Sequence, residues 1–289
     1  MKRLQTHFWW LLRRSFVRAW EDGCLGTAKG AAYSALLSFF PLLTLTATLL
    51  VQAHAQSVSR IIARFLFEVV PPGTEELVGR HFTVRGERPL SLLIFASLLS
   101  LWAASGVMAS LMEGFDAAYH VPCGRPLVRG RAMAILLVMA VAVPALGASM
   151  LVLFGNRTER HLMGWLGLVA ADQQLAGGLA LAGELLRYLI PIVTVTLVAS
   201  TMYYLGPNRP QRWSGVLPGG MVTTALWLAA TQIFAWYVRN IANYNVLYGS
   251  IGAVIALLVW MYVLSITALV GCEFNAERER LLRASSVPH

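Results

Sequence analysis

Charged side chains are scarce in this chain. Only 13% of its 289 residues are Asp, Glu, Lys or Arg, against about 25% in a soluble domain. Too few ionic groups remain to coat a water-facing surface. That excludes an ordinary soluble enzyme and a disordered polypeptide. Acidic residues are the scarcer sign, 14 against 23 Lys and Arg, for a net charge of +9. Cysteine is nearly absent: Cys24, Cys123 and Cys272 cannot staple a disulfide scaffold. The six histidines (His7, His54, His81, His120, His161, His289) are scattered, with no H-x-x-x-H and no D-x-D pair. His120 and Cys123 have H-x-x-C spacing, but two ligands do not make a zinc site. There is no Walker A motif, so the chain does not itself hydrolyse nucleotide. No cofactor or metal is expected.

Apolar sequence is abundant, at 57% hydrophobic residues and a mean hydropathy of +0.62. It comes in six blocks, residues 30–52, 90–112, 132–154, 188–205, 215–238 and 248–271, none containing Lys, Arg, Asp or Glu. A helix needs about 20 apolar residues to cross ~30 Å of hydrocarbon. The expected fold is an all-α polytopic membrane protein with six transmembrane helices. Residues 30–271 form the membrane domain, 53–89 a long external loop and 272–289 a cytoplasmic tail. Glu184 and Arg187, at i, i+3, mark a helix end before the fourth block, and a re-entrant piece within 162–186 is an alternative.

The loops between blocks alternate in charge. The N-terminus, the second and fourth loops and the C-terminus hold 14 basic residues; the other loops hold 9, and acidic residues divide 7 and 7. The richer side nets +7, the poorer +2, and the positive-inside rule places both termini in the cytoplasm. All three cysteines fall on that side or at its membrane edge. Within residues 1–29, Trp9, Leu12, Phe16 and Trp20 share one helical face among Arg13, Arg14 and Arg18. This predicts an amphipathic helix lying in the inner interface. Arg13–Arg18 has the look of a twin-arginine secretion signal, but the apolar block after it is too long for a signal core.

Certain residues depart from plain apolar helix. Pro41, Pro144, Pro191 and Pro218 each remove a backbone hydrogen bond that lipid cannot replace, so they mark kinks or broken helices beside a cavity. Glu113 and Asp116 close the second block, Glu273 and Asn275 the sixth, and Arg125 lies in the short second loop. Together these carboxylates and the arginine are candidates for a cytoplasmic entrance. Trp102, Trp227 and Trp260 fall near mid-membrane and are candidates to line a cavity. Tyr203, Tyr204, Trp213, Tyr237, Tyr244 and Tyr248 suit the interfacial belts. Small residues at Gly249/Ala253 and Gly252/Ala256 allow close approach to the sixth helix. The substrate-path candidates are thus Pro41, Trp102, Glu113, Asp116, Arg125, Pro191, Pro218, Trp227, Tyr248, Trp260, Glu273 and Asn275.

Three stretches carry a family likeness. They are Ala31-Ala32-Tyr33-Ser34-Ala35 through Phe40-Pro41-Leu42-Leu43; Phe115-Asp116-Ala117-Ala118-Tyr119-His120-Val121 with Gly124-Arg125-Pro126; and Leu217-Pro218-Gly219 through Trp227, Tyr248-Gly249-Ser250 and Trp260-Met261-Tyr262 to Gly271-Cys272-Glu273-Phe274-Asn275-Ala276. With the span pattern, they make the chain resemble the YihY/BrkB family of bacterial inner-membrane proteins, once labelled ribonuclease BN. The resemblance implies six membrane helices, cytoplasmic termini and transport or export across the inner membrane. The function expected is a transporter, exporter or flippase of an anionic or amphiphilic solute, with a non-transporting envelope scaffold as the alternative. The expected partners are the bilayer, a small-molecule or lipid substrate, and a second copy or an envelope protein. Alternating Glu277, Arg278, Glu279 and Arg280 suits a solvated helix, not a nucleic-acid groove.

Overall fold

The computed structural model describes residues 2–52, 90–122, 124–165, 177–240 and 250–285. These form seven α-helices and, among the described residues, no strand. They are α1 (Lys2–Glu21), α2 (Cys24–Gln52), α3 (Leu90–Ala118), α4 (Leu127–Trp165), α5 (Gly177–Leu205), α6 (Trp213–Asn240) and α7 (Ser250–Ser285). Each expected block lies in one of α2–α7, apart from the first two residues of the sixth block, which fall outside the described residues. The helices run past the blocks because charge ends an apolar run without ending a helix: Glu, Lys and Arg are good helix formers. Residues 272–285 of the expected tail are therefore the last turns of α7, and 286–289 lie outside the described residues. Glu184 and Arg187 lie inside α5 rather than at its end, and 162–186 belongs to α4 and α5 except for 166–176, outside the described residues with loop 53–89.

Neighbouring helices pack in chain order, and α7 returns to α2, closing a ring from α2 to α7. α3 also touches α7 across the ring, and α1 docks on α7 and the start of α2. Small residues let the helices approach. A Cβ on Gly106 would stand 3.0 Å from Ser34 Oγ, and one on Gly30 would stand 3.2 Å from Ser110 Oγ, so α2 and α3 touch nearly backbone to backbone.

Polarity is inverted relative to a soluble protein. Ser105, Ser200, Thr223, Glu273, Asn275 and Glu277 are buried, while Leu98, Val143, Leu146, Ile233 and Trp236 are exposed. Water would not tolerate that apolar coat; lipid requires it. Five helices carry stretches long and apolar enough to cross a membrane: Cys24–Leu45, Ile94–Ala118, Leu127–Gly147, Trp213–Tyr237 and Gly252–Ala284. The fourth expected block gives a shorter apolar stretch, Leu189–Leu205, within the 29 residues of α5. Pro41, Pro144, Pro191 and Pro218 all lie inside helices that continue past them.

Two tight turns set the end of the ring where the site lies. Between α1 and α2, Gly23 adopts a positive φ of 71°, which glycine reaches without a Cβ penalty. At the end of α3, His120 sits at φ 50°. Its N–H donates to Ala117 O (2.9 Å) and that of Val121 to Asp116 O (2.9 Å). That pair of bonds is a Schellman cap. The exposed His120 thus acts through its backbone, and Cys123 lies outside the described residues.

α1 is amphipathic as expected, but its second face is docked. Trp9 and Trp20 are 67% and 74% exposed and Phe16 is exposed, the arrangement of an interfacial helix. The opposite face, Ser15 and Ala19, is buried. Phe8 packs on Phe274 of α7, with ring centroids 5.7 Å apart.

Candidate functional site

The α5–α6 loop, residues 206–212, holds Pro207 and Pro210 with no helix of its own. It is fixed by its neighbours. Arg125 donates to the carbonyls of Leu205 (3.1 Å), Gly206 (2.5 Å) and Pro207 (3.0 Å). One guanidinium so caps the end of α5, where carbonyls have no partner of their own. Asp116 Oδ1 accepts the N–H of Asn208 at 2.6 Å. Arg209 pairs with Glu279, which also accepts from Arg283 at 2.5 Å, and the Arg209 guanidinium lies 4.1 Å above the Tyr119 ring. Burial pushes the Tyr119 phenol well above its ordinary range, so it stays a neutral hydroxyl.

These contacts hold open a cleft of about 790 Å³ between this loop, the start of α6 and the last turns of α7. Its polar lining includes Tyr119, Gln211 and Asn275, with Arg209, Arg212, Arg278 and Arg283 against Glu279. Four guanidinium groups against one carboxylate leave the lining at +3. Arg209 and Arg283 share Glu279, whereas the side chains of Arg212 and Arg278 have no ion pair among the described residues. Two unneutralised guanidinium groups facing one concavity form a ready site for phosphate or carboxylate.

Beneath the cleft, α6 and α7 are joined beside the break that Pro218 makes in the hydrogen-bond ladder of the continuous helix α6. Pro218 brings no N–H to the helix. On either side of it, Gly219 N–H donates to Asn275 Oδ1 (2.7 Å) and Val216 O accepts from Asn275 Nδ2 (3.0 Å). The two helices approach here because Gly219 and Gly271 lack side chains, and Gly220 beside them lets α5 come close at Thr196 and Ser200. A Cβ on Gly219 would collide with Gly271 O and with the Asn275 amide. Gly219→Ala is therefore expected to lower the stability of the detergent-purified protein by about 2 kcal/mol through overpacking. Gly147→Ala, with nothing within 4 Å of the added methyl, serves as control; equal melting temperatures for the two variants would refute the contact. Deeper still, the Tyr203 hydroxyl bonds Thr223 Oγ1 (2.5 Å) and Ala268 O (2.6 Å). Tyr203 is thus a buried strut and not the interfacial residue its position in sequence implies; Tyr204, edge-on to Trp213, is at the surface.

The structure separates the other candidates. Glu113 is exposed, Asp116 and Arg125 hold the loop, and Glu273 is fully buried. Among the described residues these carboxylates line none of the three clefts, of about 790, 460 and 390 Å³, and Arg125 lines the 460 Å³ one to the side. Pro41, Pro191 and Pro218 are half-buried. Trp102 is 64% exposed on the outer face of α3. Arg131, expected in a loop, lies in α4, 4.1 Å over the Trp102 ring, and donates to Trp102 O at 2.8 Å. Trp227 and Trp260 are half-buried, and none of the three tryptophans lines the 790 or 460 Å³ clefts or the 390 Å³ one between α4 and α5. Tyr248, Tyr244 and Gly249 lie outside the described residues. Sequence reasoning missed Arg209, Arg212, Arg278, Arg283, Tyr119 and Gln211. The available signal was two arginines in a proline-bracketed loop too short to be a linker.

A ring of apolar-coated helices around a buried polar interior, with a basic cleft at one end, defines an integral membrane protein. The chain belongs to the Virulence factor BrkB family, whose profile matches residues 15–288. It is 31% identical over 257 residues to a ribonuclease-like protein, YfkH, of Bacillus subtilis (strain 168), covering 87% of this chain and 89% of that one. It is 29% identical over 256 residues to a UPF0761 membrane protein of Alkalilimnicola ehrlichii, covering 88% of this chain but only 55% of the relative. A UPF0761 membrane protein of Tolumonas auensis is 26% identical over 277 residues, 95% of this chain and 85% of its own. The chain therefore spans little more than half the length of some relatives. No solved structure matches it.

Proposed function

We propose that the protein is a transporter or flippase of the bacterial inner membrane that moves an anionic or amphiphilic solute, with the basic cleft as its cytoplasmic docking site. The observation that carries this reading is the pair Arg212 and Arg278, unneutralised at the mouth of a cleft whose floor, Asn275, sits at the proline break of α6. A concave site of that size takes a small molecule or a lipid headgroup. In this reading α5 also crosses, as the fourth span in chain order, and brings the number to six: 29 residues at 1.5 Å each are long enough. Both termini then lie in the cytoplasm, as the charge asymmetry requires. The ribonuclease-like name of one relative does not extend to this reading. Among the described residues no three His, Cys, Asp or Glu side chains are grouped to hold a metal, and the basic residues ring a pocket, not a groove.

Flux of labelled anionic lipids and phosphorylated solutes into proteoliposomes tests the proposal, with and without a pH gradient. Arg212→Ala/Arg278→Ala is expected to cut uptake about tenfold, the equivalent of one charge-assisted contact of about 1.4 kcal/mol. Its melting temperature should match the parent, since neither side chain holds the fold. If the parent moves no anionic probe under any gradient, or the double variant moves it equally well, the reading is wrong.

A further inference from the structure

A second polar site lies where the α1–α2 turn meets α7, outside the cleft. Glu273 is 0% exposed. Its Oε1 accepts from the Cys24 thiol at 3.8 Å, while its Oε2 is buried with no partner. Asp22, in the turn closed by Gly23, stands two residues before Cys24 and so brings its carboxyl to the same side of Glu273. Asp22 Oδ2 is likewise buried with no partner.

Nearby cations do not resolve this. Arg14 and Arg18 of α1 and Arg280 of α7 all pair with Glu277, one turn beyond Glu273. Arg18 also holds Glu21, and Arg280 also donates to Ala118 O. The remaining ionisable neighbours are thiols, Cys24 on α2 and Cys272 on α7, both buried. Two neighbouring carboxylates, each with a bare buried oxygen and neither in an ion pair among the described residues, would repel and lack solvation, with Arg280 offsetting this only from its place on Glu277. A proton between them supplies the missing donor and removes one charge. A metal ion does not fit. Calcium takes six to eight oxygens, magnesium needs an octahedron and zinc four ligands, whereas among the described residues no three carboxyl, thiol or imidazole groups are placed to meet on one ion.

We propose that Asp22 and Glu273 form a proton-binding site, one proton shared between two carboxyl groups at the α1–α2 turn. Asp22 is only half-buried and Gly23 beside it is exposed, so the proton exchanges with solvent at the same end of the ring as the cleft. Under the transport reading, this is where a pH gradient acts on the protein. The site stands without that reading, because its test measures a proton and not flux.

Infrared spectroscopy of the reconstituted protein tests it. The parent at neutral pH is expected to show the carbonyl band of a protonated carboxyl. The band should vanish in Glu273→Gln and in Asp22→Asn, whose amides supply the hydrogen-bond donor without the proton, and persist in Glu21→Gln. Selective carbon-13 labelling of aspartate or glutamate carboxyls in the unaltered protein covers the case of variants that do not fold, since the band must shift with one label or the other. Its absence from the parent, its persistence in both variants, or a shift with neither label overturns the proposal. So does its loss on adding sodium or magnesium at fixed pH, which would make the site a metal-cation site.

Discussion

Asn275→Ala is expected to unfold the end of α6 that supports the cleft. The alanine removes the acceptor of the Gly219 N–H and a donor to Val216 O, at 2.7 and 3.0 Å. Two buried hydrogen bonds at a place that excludes water are worth about 3 kcal/mol together. Asn275→Asp separates shape from chemistry. It keeps the acceptor, loses the donor and buries a carboxylate, so it should melt well below the parent despite being nearly isosteric. Thermal unfolding in detergent gives the comparison, and hydrogen exchange at Gly219 locates the damage. A parent-like melting temperature for Asn275→Asp would mean that the amide is not holding the break.

Glu277→Ala should cost as much by a different route. This carboxylate is 1% exposed and forms ion pairs with Arg14 (2.6 Å), Arg18 (3.6 Å) and Arg280. Removing it leaves three like charges crowded around a hole. Breaking a buried ion pair costs about 3–5 kcal/mol, and the lower end applies because the arginines are a third or more exposed. α1 should detach first. Protease cleavage within α1 should therefore precede global unfolding in Glu277→Ala and not in the parent. If α1 stays protected, its hold on α7 comes from Phe8, Phe274 and the buried Ser15–Ala19 face.

Much of the fold was legible in the sequence because a bilayer imposes a coarse rule. About 20 apolar residues without charge mark a crossing, and the described residues of each block lie in a helix. Helix ends were not legible, since nothing in hydropathy separates the end of a span from the end of a helix. The site was read unevenly for a related reason. Asn275 was found because a polar residue at the end of an apolar run stands out. Glu277 was read as part of a solvated face because it alternates with arginines along the chain. Two of its partners, Arg14 and Arg18, lie on another helix, and one-dimensional charge spacing carries no trace of that. The same holds for Asp22, which finds Glu273 only after the chain has gone round the ring. The tryptophans failed in the opposite sense: equal depth along three helices says nothing about which way each faces, and Trp102 faces outward.

Closure of the ring fixes an order of events in assembly. α1 emerges early during synthesis, yet Cys24 and Glu273, at the joint beside it, are separated by 249 positions. Arg14 therefore waits for its Glu277 partner, and Arg18 has only Glu21 of its own helix, until α7 has been made and inserted. Meanwhile the exposed Trp9, Phe16 and Trp20 can keep α1 at the lipid surface near its docking place. A chain stopped before α7 would present α1, the open edge of α2 and an unstapled proline break in α6 together, the kind of unfinished surface that membrane quality-control proteases are suited to remove.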